Sequence, residues 1–175
     1  MSDPLRDISP GDLAVLERRA ASLAGGAEER TASFVSVLVF RVDGRSWGLP
    51  LEVIREIVRD AAITPVPGAP AAVRGVVSLR GEIGSVTDPV VRLGLGRPAK
   101  AHPLLVVIKA DDVATALAVD GVEGVVEVQE DALEAPLPLL DRAVPDAMAG
   151  SFDSPEGSVA LLSAAPLLEP VGSER

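Results

Sequence analysis

From Phe34 onward the apolar positions of this chain recur every second residue. Val35, Val37 and Val39 alternate with Phe34, Ser36 and Leu38, and a period of two predicts a β-strand. Asp43-Gly44 follows as a two-residue hairpin signal, because both positions tolerate the positive φ that a type I′ turn needs. Trp47, Leu49 and Leu51 continue the alternation on the return strand, which makes Trp47 a half-buried strand residue. Upstream the period is different. Leu13, Leu16, Ala20 and Leu23 fall at helical spacing with Glu17, Arg18 and Arg19 between them. Ser9-Pro10-Gly11-Asp12 reads as the helix start, with Ser9 as N-cap and Pro10 at the first helical position. Gly25-Gly26 ends the pattern. Residues 1–33 are therefore expected to form one amphipathic helix and a polar linker, AEERTAS. The helix either packs on its own domain or serves as a tether or partner helix.

The strand-forming part repeats itself. Shifted by 68 positions, residues 39–58 meet 107–126. Val39, Asp43, Leu49 and Val58 then fall on the identical Val107, Asp111, Leu117 and Val126. At a shift of 75, residues 72–93 meet 147–168. Ala72 and Gly75 fall on Ala147 and Gly150, and Val86 and Leu93 on Leu161 and Leu168. The shift grows by 7 residues, which predicts a longer loop in the second copy, in the proline-rich LEAPLPLLDRAVPD stretch. Each copy carries about five short strand candidates, a pattern of small barrels or a sandwich. In the first copy, Asp88-Pro89 followed by VVRL and Gly94 predicts one capped helical turn.

One arginine stands out in VRGVVSLRGEIGSVTDPVVRL, residues 73–93. Arg80 lies between two apolar runs beside a glycine, and LPLEVIREIV upstream offers a matching acid, Glu56. Composition narrows what such a pair could serve. The net charge is −10, with two lysines and four aromatic residues. A chain of this kind has no basic stripe or stacking platform for nucleic acid. The same charge is repelled by an anionic membrane surface, and no apolar run reaches transmembrane length. Together with an N-terminus lacking a signal-peptide pattern, this gives a cytoplasmic expectation without direct membrane insertion. Zero cysteines exclude thiol nucleophiles and Cys-based zinc sites. The single histidine, His102, sits in the loop-like AKAHP stretch with no orienting partner. The carboxylates Glu82 with Asp88, or Asp111 with Asp112, have no spacing that separates an acid from a base. No phosphate-binding glycine loop is present. The residues thus predict no enzyme, no metal and no cofactor. A small-ligand barrel would need convergent polar groups in a pocket, which Ala- and Val-rich strands do not supply. A docking surface remains.

The runs SVLVFRVDGRSWGLPLEVIREIVR, ITPVPGAPAAVRGVVSLRGEIGSVTDPVVRLGL and LLVVIKADDVATALAVDGVEGVVEV resemble, in order, a CheW-type chemotaxis coupling domain. The likeness extends from about Phe34 to Leu168, and PVPGAPAAVRGVVSLRGEI is its most specific segment. The resemblance implies an all-β fold of two five-stranded SH3-like barrels in a domain spanning about 34–170. The first barrel would lie near 34–99 and the second near 102–168, with strand exchange between them allowed. It also implies a non-enzymatic adaptor. The partners would be the cytoplasmic tip of methyl-accepting chemoreceptors and the regulatory domain of a CheA-type histidine kinase. The receptor groove would map onto Ile54, Glu56, Gly75, Val77 and Arg80, with Leu104 and Leu105 across it. Leu51 would lie on the kinase-facing side.

Each mapped residue type has a physical use. Gly75 would let a partner element approach closely. Ile54, Val77, Leu104 and Leu105 would grip a helix face. Arg80 and Glu56 would pair or meet a receptor charge. The chain departs from the family at Ser78, where Asn is usual before Leu-Arg-Gly. It departs again at Gly84-Ser85 in place of Val-Pro, at Asp88-Pro89 in place of Asp-Leu, and at Ser163 in place of a terminal Asp. These departures, and the N-terminal helix, motivate an alternative: a divergent adaptor that binds only one of the two partners or serves a non-chemotactic pathway.

Overall fold

The computed structural model describes residues 33–100, 103–110, 113–135 and 146–169. The expected N-terminal helix, His102, the Asp111-Asp112 pair and most of the proline-rich loop lie outside the described residues. The first copy of the repeat forms β1 (Phe34–Val42), β2 (Arg45–Pro50), β3 (Ile54–Val58), β4 (Val73–Leu79), β5 (Glu82–Thr87) and the single helical turn α1 (Pro89–Arg92). The second forms β6 (Leu104–Ala110), β7 (Val113–Val119), β8 (Gly121–Gln129), β9 (Met148–Ser154), β10 (Gly157–Leu162) and α2 (Ala165–Leu168). The hairpin turn at Asp43-Gly44 has φ of 54° and 72°, as a type I′ turn requires.

The strands assemble into two five-stranded sheets. The first runs β8-β1-β2-β10-β9 and the second β3-β6-β7-β5-β4. Replacing each strand by its repeat counterpart turns one order into the other. The registers correspond as well. The parallel join aligns Trp47 with Ala160 in the first sheet and Thr115 with Ser85 in the second, which are repeat-equivalent pairs. A bulge skips Glu123 in β8 against β1, and another skips Arg55 in β3 against β6. The two copies therefore exchange strands, which the expected barrels near 34–99 and 102–168 allowed. The first hairpin of each copy inserts into the sheet built from the last three strands of the other copy.

The main core joins both sheets. Leu38, Phe40, Val42, Trp47 and Leu49 of the first pack with Val77, Leu79, Val86, Leu105 and Leu117 of the second, and α1 and α2 add Val90 and Leu167. A smaller cluster, Val37, Val39, Val128, Phe152, Val159 and Leu161, fills the first sheet's other face. Strand β1 is thus buried on both sides, which explains its nearly unbroken apolar run. Trp47 is 4% exposed, not half-buried as expected, and its Nε1 donates to the Val42 carbonyl at 3.2 Å. That bond satisfies the one polar atom that burial would otherwise strand.

Asp88 also differs from expectation. It makes no side-chain cap on α1. Its Oδ2 accepts the Ala99 N–H at 2.8 Å and lies 3.5 Å from Arg74 Nε, while Arg74 donates to the Ala99 and Lys100 carbonyls. Lys100 N–H in turn donates to Asp120 Oδ1 at 2.6 Å, and Asp120 Oδ2 accepts from the Asp43 N–H at 3.0 Å. The segment between the two copies is clamped to both sheets. Burial raises the Asp88 carboxyl above its ordinary value, and the Ala99 bond and Arg74 only partly offset this.

Candidate docking site

The second sheet has β3 and β4 at opposite ends of its strand order, and its curl brings these edges together. Thr64, just beyond β3, exchanges two 2.8 Å backbone bonds with Val76 of β4. Gly75 permits this closure. Its φ is +148°, and a Cβ there would stand 2.2 Å from the Thr64 carbonyl oxygen. The room at Gly75 is taken by this chain's own backbone, so it is not the space for a partner that the sequence suggested.

Two ion pairs lace the same seam on the outside. Arg80 Nε and Nη2 both lie 3.1 Å from Glu56 Oε2, and Arg55 Nη1 lies 3.3 Å from Glu82 Oε2. Arg80 does not sit within a strand. It occupies the β4–β5 turn with φ of 50°, followed by Gly81 at 87°. The turn projects the arginine into solvent, with its side chain 76% exposed, whereas that of Glu56 is 18% exposed. Such a pair adds about 0–1 kcal/mol to stability. The second carboxylate oxygen of Glu56 is buried and finds no hydrogen-bond partner among the described residues. The glutamate is therefore held by geometry more than by a full set of bonds.

The other mapped residues separate by depth. Val77 and Leu105 are 3% and 0% exposed and belong to the main core. They cannot grip a partner without repacking. Ile54 and Leu104 are half-buried and pack on that core, and Leu51 is exposed in a short 3-10 turn at Leu51–Val53. The structure adds apolar residues that the sequence reading passed over: Ile57, Val66 and, most exposed at 79%, Ile83. The period of two marks Ile83, because Gly84 and Val86 share the inward face of β5 and Ile83 falls on the opposite one. Gly84 itself is buried against Leu79 and the Ala114 carbonyl, inside a continuous β5.

Exposed apolar side chains beside solvent-facing ion pairs suit protein contact better than chemistry. Among the described residues no three metal-ligating side chains cluster, and no helix is long and apolar enough to cross a membrane.

Comparison with known proteins gives the same direction. The family model described as the CheW-like domain matches residues 36–169. Protein PilI of Pseudomonas aeruginosa is 28% identical over 140 residues, covering 78% of this chain and 79% of that protein. Chemotaxis protein CheW of Thermotoga maritima is 31% identical over 98 residues, covering 56% of this chain and 65% of that protein. The crystal structure of the scaffolding protein TtCheW from Thermoanaerobacter tengcongensis superposes with a TM-score of 0.69 at 24% identity. It covers 85% of this chain and 97% of that one, a likeness of fold.

Proposed function

The chain belongs to the CheW-like domain family, and from that premise we propose that it is a non-enzymatic cytoplasmic adaptor coupling chemoreceptor tips to a CheA-type histidine kinase. The observation that carries this reading is the set of exposed apolar residues near the Glu56–Arg80 pair: Ile57 and Ile83 on the second sheet, and Leu51 in the 3-10 turn that leads into it. Contact with the receptor tip would come from Ile54, Glu56, Arg80 and Leu104. Gly75, Val77 and Leu105 would act from beneath, by holding the seam closed and the strands in place. Leu51, in the 3-10 turn before β3, and the exposed Ile57 of β3 would face the kinase regulatory domain. Apolar area grips and the charge pair sets orientation, the usual division of labour in an interface.

Co-purification of the full chain with a receptor-tip fragment and with the kinase regulatory domain tests this. Retention of both supports coupling, and loss of the kinase domain removes it. A second reading has its own support. PilI, whose name carries no chemotaxis term, aligns over a larger share of the chain than the Thermotoga CheW. On that reading the chain is a divergent adaptor for one partner or for another signalling pathway, and retention of a single partner would favour it.

A further inference from the structure

The repeat makes a second seam, on the first sheet, comparable position by position with the one just described. Where the second sheet has Glu56 and Arg80, the first has Gly124 and Pro155. Where it has Arg55 and Glu82, the first has Glu123 and Gly157. The backbone closure is kept, since Glu134 and Ser151 exchange bonds of 2.9 and 3.0 Å. Among the described residues no ion pair laces this seam. Gly124 has φ of +152°, and a Cβ built there would meet nothing within 4 Å. The space is open in two adjoining clefts of about 250 and 580 Å³, which share Val126, Ser154 and Pro155 and so form one groove.

The groove has an apolar floor and an acidic rim. Val39, Val126, Val128 and Phe152 line it from below, while Phe34 and Val125 stand 58% and 51% exposed at its edge. Glu123, Glu127, Glu134, Asp153 and Glu156 surround it, and among the described residues no lysine or arginine lines either cleft. Arg41, from outside the lining, pairs with Glu123 at 2.6 Å. We propose that this open seam is a docking groove for a lysine- and arginine-bearing amphipathic segment of a partner protein. Phe34 and Val125 would supply the apolar contact, and Glu127, Glu134 and Asp153 would supply the charge. The charge selects the occupant. A second copy of this chain, at net charge −10, would bring more negative charge to the rim. A basic apolar segment satisfies floor and rim together.

The test uses the full ¹⁵N-labelled chain and a synthetic peptide of leucine and lysine at amphipathic helical spacing, about 18 residues long. A leucine–glutamate peptide of the same spacing is the control. Amide shifts are expected to centre on Phe34, Val125, Val126 and Phe152 with the lysine peptide and to be absent with the control. Affinity should fall by about tenfold or more between about 50 and 300 mM salt. Phe34→Asp combined with Val125→Asp should weaken binding about tenfold or more with an unchanged melting temperature. Glu127→Lys with Asp153→Lys should weaken it similarly, and Ile57→Asp with Ile83→Asp should leave it intact. The proposal is overturned if shifts spread evenly over the acidic surface or centre on Ile57 and Ile83. It is equally overturned if the Phe34 and Val125 substitutions have no effect. Self-association through the groove without peptide would assign it to a second copy instead. Displacement of the peptide by the kinase regulatory domain would assign it to that domain.

Discussion

The two sheets share strand order, parallel join, bulge positions and backbone closure, yet their seams are different surfaces. On the second sheet Glu56, Arg80, Arg55 and Glu82 lace β3 to the β4–β5 hairpin. On the first, Gly124 and Pro155 leave a groove. The backbone closure survives in both, so the ion pairs are not what holds a seam together. Two partially exposed pairs contribute little to stability. What distinguishes the seams is what they present to a partner: a ridge of alternating charges beside Ile83 in one case, and an apolar trough with acidic walls in the other.

The largest effect should come from the glycine beneath each closure. Gly75→Val would force a Cβ against the Thr64 carbonyl in a backbone region that side chains rarely adopt. A loss of about 4 kcal/mol or failure to fold is expected in urea unfolding. At Gly150 the Glu134 carbonyl is 2.9 Å from a built Cβ and φ is not positive, so Gly150→Val should cost about 1–3 kcal/mol. Equal costs would show that the two closures are not as unequal as their geometry indicates.

Arg80→Glu sharpens the comparison at the surface. It places two acids face to face at an exposed turn. Receptor-tip affinity is expected to drop by about 2–3 kcal/mol, with a melting temperature nearly that of the parent chain. A collapse of folding instead would make the pair structural and remove the docking argument for this seam.

The clamp between the copies gives a pH test. The raised carboxyl of Asp88 binds its proton more tightly in the folded chain than in the unfolded one. Its contribution is therefore fully present below the ordinary aspartate value of 3.8 and is lost as pH rises through the folded value. Asp88→Asn keeps an acceptor for the Ala99 N–H and removes the buried charge. It should be neutral or stabilising by up to about 1 kcal/mol at pH 7, and that difference should shrink on acidification. Denaturation midpoints across the range measure it, and a difference growing toward low pH would contradict the sign.

The smallest effect concerns the pair itself. A double-mutant cycle with Glu56→Gln and Arg80→Gln should give a coupling below about 1 kcal/mol in stability. A larger value would mean that the lacing carries fold stability and not only surface character.

Much of this was legible in the residues. The period of two located β1 and β2, Asp43-Gly44 located their turn, and the shifts of 68 and 75 residues related each strand to its counterpart. The resemblance running through PVPGAPAAVRGVVSLRGEI gave the family. The Glu56–Arg80 pair was anticipated from charge and apolar context. Depth was harder to read. The resemblance points Val77 and Leu105 to a surface and they lie in the core, while Ile83, which it does not single out, is the most exposed large apolar residue among the described residues.

The sequence by itself determined the strands, the repeat and the family, because alternation, turn residues and motif spacing are local properties of the chain. Only the tertiary structure decided which strands share a sheet, since a period of two says that a strand has two faces and nothing about its neighbours. It also decided that Gly75 accommodates Thr64 and that Gly124 faces open space. Two glycines look alike in a sequence, and what their missing side chains make room for depends on segments brought near only by folding.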